Sequence, residues 1–286
     1  MRVLDNFSSG KRENLEGLSS SKNGSRFDIL EGDVRDAAIV ADAVRDVEVI
    51  FHEAAFVSVP ESMEKPQDCF DVNITGTSTL FEAARKAGVH RAVIASSAAV
   101  YGDSDALPLK EDTPLRPFSP YAVSKRVDEI FAQLYTNSFG LEVVALRYFN
   151  VYGPRQRPDS VYAAAVPIFI RRLRDGKPIT IFGDGGQTRD LIFVGDVARA
   201  NIIASEHPSA AGKIFNICTG HSTRILDLLD VLFRLFPNSP KPVFAPPRAG
   251  DIHKSLGCPD RAEELIGFKA ETSLADGLEE TVDWMQ

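Results

Sequence analysis

HRAVIASSAAVYG (90–102), then SPYAVSKRVDEIFAQLYTNSFG (119–140) and LEVVALRYFNVYG (141–153), is the stretch on which the fold turns. The first segment reads as a buried strand running into a loop. The second reads as a long helix, with Ser119 as N-cap, Pro120 in the first turn and Gly140 as the stop. The third is another strand. Working back towards the start, FDVNITGTSTLFEAARKAG (70–88) predicts a helix ended by Gly88. VEVIFHEAA (47–55) is a buried strand entering a loop, and Ile39, Val40, Ala43 and Val44 follow a helical pattern. FDILEGDVRD (27–36) holds an apolar run followed by Asp33, and RVLD (2–5) is a short strand ending in an acid. Strands alternating with helices imply parallel pairing through right-handed crossovers, hence a doubly wound α/β sheet.

After residue 153 proline and glycine become denser, in GPRQRPDS, DGKPITIFGDGGQTRD and FAPPRAGD. The elements shorten and mix. The expected organisation is a main domain over 1–153 and a smaller α/β cap over 154–286, with some of its segments returning to the main sheet. Ligands of open α/β sheets bind at the C-terminal ends of the strands.

The chain has 286 residues, enough for a large core, and a formal net charge of −8. The acidic balance argues against nucleic acid and anionic membrane as partners, so an anionic ligand needs a local cluster of Arg and Lys. Cys69, Cys218 and Cys258 are far apart and form no CxxC pair, which reads as a reduced, cytoplasmic protein without structural zinc or other metal. No apolar run approaches membrane-spanning length, and no signal peptide is expected.

The sharpest chemical signal is Tyr121-x-x-x-Lys125 on the first turns of the long helix. Residues four apart share a helix face. A phenol is normally protonated at neutral pH, but a fixed cation nearby favours the phenolate and turns the pair into a usable general base. The bare pattern also occurs by chance. Ser96 and Ser97, at the end of the preceding strand, supply either a hydroxyl that shares a substrate proton or ordinary turn chemistry.

SSAAVYG, SPYAVSK and LRYFNVYGPRQ in combination resemble the NAD-dependent sugar-nucleotide epimerase and dehydratase family, an extended branch of the short-chain dehydrogenases with a Rossmann-like fold. The likeness runs from residue 2 to the C-terminus. It implies Ser97, Tyr121 and Lys125 as the catalytic trio and NAD as cofactor. Asp5 and Asn6 would hold the adenosine ribose, with Ser8, Ser9 and Gly10 nearby, and Asp33 and Val34 would flank the adenine. Ala54, Ala55 and Phe56 would line the pyrophosphate and nicotinamide side, with Asn73 close to the cofactor and Tyr148 and Phe149 against the nicotinamide. On the substrate side, Asn150 would contact the diphosphate of a UDP-sugar. Val166, Ile181, Phe182 and Gly183 would form the uridine pocket, and Arg189, Arg248 and Asp251 would grip phosphates and ribose. Each residue also has a plainer reading. Asp5 could be a turn residue, although an acid at that strand end suits a ribose 2′-hydroxyl and disfavours NADP. Asp33 could cap a helix, as could Asn73 or Thr75. Tyr148 and Phe149 could be core aromatics, and the arginines could be solvated. Arginines in glycine-rich loops of an acidic protein favour phosphate binding.

The glycine-rich turn of such folds, whose amides and following helix bind the pyrophosphate, is not found. The chain starts at the second strand of the pattern, so the first strand, turn and helix, roughly two dozen residues, are missing from it. The expectation is an incomplete sequence: Met1 sits where the family has an apolar strand residue. The missing strand would be central, so its loss should leave open strand edges and weaken NAD binding.

The resemblance further implies 4-epimerisation of UDP-hexoses, an isomerase reaction through a 4-keto sugar. Dehydratases of the family need an Asp-Glu pair where Ala98 and Ala99 stand here. A UDP-uronic-acid epimerase or decarboxylase, or a non-catalytic sugar-nucleotide binder, are the alternatives. Apolar residues on helices 76–87 (Leu80, Phe81, Ala84) and 121–138 (Ile130, Phe131, Leu134) predict a homodimer. Ser255, four places beyond Asp251, would border the pocket for the sugar's C2 substituent and leave room for an N-acetyl group. A slip of one position would make Leu256 the gate. The stretch YAAAVPIF (162–169) also looks like members that handle N-acetylated sugars.

Overall fold

A computed structural model describes residues 1–16, 27–157, 165–247 and 252–285. The chain divides into two compact units. Unit 1 comprises residues 1–100, 117–145 and 207–214, and unit 2 comprises residues 101–116, 146–206 and 215–286. The division is interleaved; the sequence suggested a cut after residue 153 with some later segments returning to the main sheet, and residues 207–214 are grouped with unit 1. The loop after residue 100 and everything just beyond Ala145 pack with the C-terminal third.

Unit 1 is built from β1 (Arg2–Asp5), β2 (Asp28–Glu31), α1 (Ala37–Ala43), β3 (Val49–His52), α2 (Val59–Glu64), α3 (Pro66–Phe70), α4 (Gly76–Ala87), β4 (Arg91–Ser97), α5 (Pro120–Phe139) and most of β5 (Glu142–Tyr148). The alternation anticipated from the sequence is present. The helix expected over 70–88 is in two parts: α3 runs through a π-helical turn at Asp71–Thr75 into α4. It stops where predicted, at Gly88 with φ 72°. Helix α5 has both predicted ends: Ser119 Oγ accepts from the Ala122 N–H at 3.1 Å, and Gly140 takes φ 75°.

The sheet is not one surface. β3 pairs in parallel with β4, Val49 opposite Arg91, and the order continues through β5 to a strand at Ile214–Ile217. β1 pairs in parallel with β2, Arg2 opposite Asp28, as a separate two-stranded sheet. Among the described residues no strand joins β1 to β3. Each keeps an edge without ladder partners, and mid-strand Phe51 and Ile29 stay 49% and 39% exposed. The core of unit 1 packs Val40 and Val44 of α1, Leu80, Phe81 and Ala84 of α4, Ile94 of β4 and Ala132 of α5 into one cluster. Each large side chain buried there contributes about 1.5–3 kcal/mol.

Unit 2 contains β6 (Asn150–Tyr152), α6 (Ala165–Arg174), β7 (Thr180–Phe182), β8 (Thr188–Arg189), β9 (Leu191–Phe193), α7 (Val194–Glu206), most of β10 (Ile214–Ile217), β11 (Thr223–Arg224), α8 (Ile225–Leu235), β12 (Val243–Ala245), α9 (Asp260–Ile266) and α10 (Leu274–Met285). β6 pairs with β9 and β7 with β12, both parallel; β8 and β11 are antiparallel. The strand expected over 141–153 breaks at Phe149 because its partners change. The Phe149 N–H bonds the Ile217 carbonyl at 3.1 Å, and the next N–H, of Asn150, bonds that of Asp190 at 3.0 Å.

Candidate active site

In unit 1 one group of candidates falls at or just past the C-terminal ends of two parallel strand pairs, β1–β2 and β3–β4. Asp5 ends β1, Asp33 follows β2, Ala54–Phe56 follow β3 and Ser97 ends β4. The C-terminal ends of strands are where doubly wound folds bind ligands.

At the end of β1, Asp5 Oδ1 accepts from the Phe7 N–H at 2.7 Å. Its Oδ2 lies 3.0 Å from where a Cβ on Gly10 would sit, so a larger residue there would press on the carboxylate. Asp5 is thus both the turn residue of the plainer reading and an acid with one oxygen left towards an open position. Asn6 Oδ1 accepts from the Ser8 N–H at 3.0 Å, and Asn6 Nδ2 donates to Asp33 Oδ2 at 3.0 Å. Ser8 and Ser9 are exposed. Asp33 does not cap a helix; Asp36 does, accepting from the Ala38 N–H at 2.9 Å. Two guanidinium hydrogen bonds from Arg35, each 2.8 Å, hold the Asp33 carboxyl far below the usual carboxylate range against a smaller opposing effect of burial. Val34 is buried and fills the space left by Gly76, where a Cβ would come within 2.5 Å of it.

Asn73 caps nothing either, and Thr75 offers no capping bond. Asn73 is 1% exposed, and its Oδ1 accepts from the Phe56 N–H at 2.7 Å. Its Nδ2 donates to the Phe56 carbonyl at 3.1 Å and to Ser124 Oγ at 2.8 Å. The side chain therefore ties the loop after β3 to α5. Ala54 is exposed at the start of that loop, and Ala55 and Phe56 are half-buried.

The two serines at the end of β4 separate cleanly. Ser96 is buried and donates to Glu129 Oε1 at 2.7 Å, and Arg126 holds the other Glu129 oxygen at 3.0 Å. Ser97 is half-buried; its Oγ accepts from the Ala99 N–H at 3.2 Å, a turn contact that leaves the hydroxyl hydrogen to donate. Tyr121 is half-buried on the first turn of α5, and its N–H donates to Ser62 Oγ at 3.2 Å. Lys125, one turn on, is 3% exposed. Sequence reasoning missed what surrounds it. Asp128 Oδ2 lies 3.4 Å from Lys125 Nζ, and Thr77 Oγ1 lies 2.9 Å from His52 Nε2. The i, i+3 spacing of Lys125 and Asp128 was the available signal.

The remaining candidates belong to unit 2. Tyr148 Oη accepts from Asn201 Nδ2 at 2.7 Å, and Phe149 is a buried aromatic with its ring centroid 6.4 Å from that of Tyr101. Asn150 Nδ2 donates to the Asp190 carbonyl at 3.1 Å. Val166 and Ile181 are buried in the core of this unit, at 2% and 1% exposure. Phe182 is half-buried, and Gly183 takes φ 76°. Arg189 donates to the Thr188 carbonyl at 2.9 Å, and the Ser255 N–H bonds the same oxygen at 3.2 Å. Arg248, Asp251 and the Tyr162–Ala164 part of YAAAVPIF lie outside the described residues. A further residue not foreseen is buried Asp190. Its carboxylate accepts from the backbone of Thr219, Gly220 and Gly257 and pins those loops together.

No helix among the described residues is long and apolar enough to cross a membrane. A family model described as the NAD dependent epimerase/dehydratase family matches residues 2–218. A UDP-glucose 4-epimerase of Mycolicibacterium smegmatis is 39% identical over 285 residues, 99% of this chain and 90% of that protein. Among solved structures, the UDP-N-acetylglucosamine 4-epimerase of Methanobrevibacter ruminantium, in complex with UDP-N-acetylmuramic acid, superposes with a TM-score of 0.94 at 36% identity. It covers 99% of this chain and 89% of that one. The UDP-glucose 4-epimerase of Thermus thermophilus in complex with NAD gives 0.87 at 35% identity, over 99% and 90%.

Proposed function

Because the chain belongs to the NAD dependent epimerase/dehydratase family, we propose that it interconverts UDP-hexoses at C4, with NAD as its cofactor and Ser97, Tyr121 and Lys125 as the catalytic residues. The observation that carries this reading is local. One helix presents Tyr121 and Lys125 on its first turns, and the strand beside it ends in a serine whose hydroxyl hydrogen is available.

The described residues fit NAD at its adenosine ribose and towards its nicotinamide. Asp5 keeps one carboxylate oxygen towards the gap that Gly10 leaves, which suits a pair of ribose hydroxyls. The loop Ala54–Phe56 is held from both sides of Phe56 by Asn73, so its backbone is fixed before any ligand arrives. When bound, NAD supplies the acceptor and later the donor of the hydride at sugar C4. Tyr121 removes the proton of the 4-hydroxyl and returns it to the opposite epimer; Ser97 shares that proton, and the Lys125 ammonium steadies the phenolate. Ala98 and Ala99 offer no carboxylate or acid for eliminating water. Tyr148, Phe149, Asn150, Phe182, Gly183, Arg189 and Ser255 are proposed to hold the nicotinamide and the sugar nucleotide. Small Ser255 admits an N-acetyl group at C2. Three free, buried cysteines suit a reducing, cytoplasmic setting.

Tyr121→Phe tests the reading directly. Epimerisation of UDP-glucose should fall by about 10²–10⁴-fold with an unchanged circular dichroism spectrum. Near-normal turnover would remove Tyr121 from the reaction.

A homodimer is proposed as the assembly, through α5. Val123, Ile130 and Leu134 are 37%, 47% and 45% exposed, and their spacing places them on one face of that helix. Leu80, Phe81 and Ala84 of α4 are instead sealed in the chain's own core, so they do not contribute as the sequence suggested.

A further inference from the structure

Helix α5 carries a buried ion pair that catalysis by Tyr121 and Lys125 does not by itself require. Lys125 and Asp128 have side chains only 4% and 2% exposed, with Nζ and Oδ2 3.4 Å apart. The other carboxylate oxygen, Asp128 Oδ1, is buried without a hydrogen-bond partner. A buried carboxylate with a missing partner is costly and calls for an explanation. The groups around it narrow the choice. Glu129 from the same helix is already engaged by Ser96 and Arg126. Thr77 of α4 lies against Asp128 and also meets His52 of β3. Burial and the nearby Lys125 charge both push His52 far below its usual range, so it is neutral and offers no counter-charge. Cys69 of α3 senses the Asp128 charge, but burial raises its thiol and keeps it neutral. Lys125 is therefore the cation that faces Asp128, and Asp128 the carboxylate that meets the buried ammonium.

We propose that Asp128 is a positioning residue acting through Lys125: as a carboxylate it anchors one N–H of the ammonium and leaves the other two for Tyr121 and the cofactor ribose. The inference rests on the epimerase reading for its catalytic consequence but not for the ion pair. The anchor has a built-in pH limit. Burial, opposed by Lys125 and the Thr77 hydroxyl, lifts the Asp128 carboxyl to about 6. Above that pH it is charged and holds the ammonium. As pH falls through it, the carboxyl becomes neutral, and the wild type comes to resemble Asp128→Asn.

Two measurements test the proposal. In unliganded protein labelled with ¹³C at the aspartate carboxyls, the resonance absent from Asp128→Asn should titrate near pH 6. Lys125→Met should move that titration upwards, because the attraction favouring the charged form is gone. In epimerisation assays, kcat of wild type and Asp128→Asn should differ by on the order of 10-fold at pH 8 and agree within about 2-fold at pH 5, where roughly a tenth of the carboxyl stays charged, since a misplaced catalytic group is costly. A merely structural aspartate would give a ratio that does not change with pH, and that result would overturn the proposal. So would a titration unaffected by Lys125→Met. Coupled titration in a folded protein with no epimerase activity would uphold the ion pair and overturn the reading of function instead.

Discussion

At the scale of single residues, the structure assigns neighbouring polar groups to different work. Ser96 and Ser97 are adjacent, yet one donates to Glu129 and the other accepts from the Ala99 N–H, with its own hydrogen left to donate. The same holds for the acids: Asp36 caps α1 while Asp33 is clamped by Arg35. Tyr121 and Lys125 could be picked out from the sequence because a helix converts a spacing of four into a shared face. Asn73 was named through the family likeness alone, and the tie it makes could not be read from spacing, because Phe56 and Ser124 lie 17 and 51 residues away. Specificity also belongs at this scale. The Ser255 N–H is fixed to the Thr188 carbonyl, beside Arg189, so the position of this residue is set by backbone pairing. Ser255→Tyr should lower kcat/KM for UDP-N-acetylglucosamine roughly 10- to 100-fold, equivalent to the 1–3 kcal/mol that overfilling a packed site costs. Activity on UDP-glucose should change little, since a clash discriminates against only the larger substrate. Equal losses on both substrates would dismiss Ser255 as the gate, and a fall confined to a Leu256→Tyr variant would move it one place.

At the scale of elements, the helices behaved as their end signals required. Ser119, Gly88 and Gly140 act locally, so a window of a few residues contains the cause of each terminus. Strands are different, because a strand is completed by partners elsewhere in the chain. The break at Phe149 comes from a switch between the carbonyls of Ile217 and Asp190, which no local pattern announces. The edges of β1 and β3 that lack ladder partners among the described residues are not marked by the strands' own residues. Val49–His52 has β4 on one side and no ladder partner on the other among the described residues. Alternate amides of β3, and likewise of β1, should therefore exchange with deuterium quickly while β4 is protected, since β4 is paired on both sides. Uniformly slow exchange along β3 in the 286-residue chain would mean that its outer edge is covered.

At the scale of the whole molecule, the chain carries a formal net charge of −8, two units interleaved in sequence and, on α5, an exposed apolar face. If α5 pairs with its counterpart in a second copy, light scattering should report twice the 31.3 kDa chain mass. Ile130→Glu combined with Leu134→Glu should shift it to the monomer, since burying unpaired carboxylates costs far more than an apolar contact returns. A wild type that runs as a monomer at high concentration would remove the dimer. The family, the doubly wound alternation, the placing of Tyr121 and Lys125 on the first turns of one helix and the helix ends were all legible in the sequence, because each depends on short-range spacing or on motifs that sit within one element. Only the tertiary structure decided that residues 101–116 leave the first unit and which later segment, 207–214, joins it, that Leu80 and Phe81 face inwards while Ile130 and Leu134 face outwards, and that Asp128 lies against Lys125 in a buried setting. Those outcomes depend on which surfaces meet after the chain has folded back on itself. Burial and desolvation are properties of such meetings and not of any residue alone.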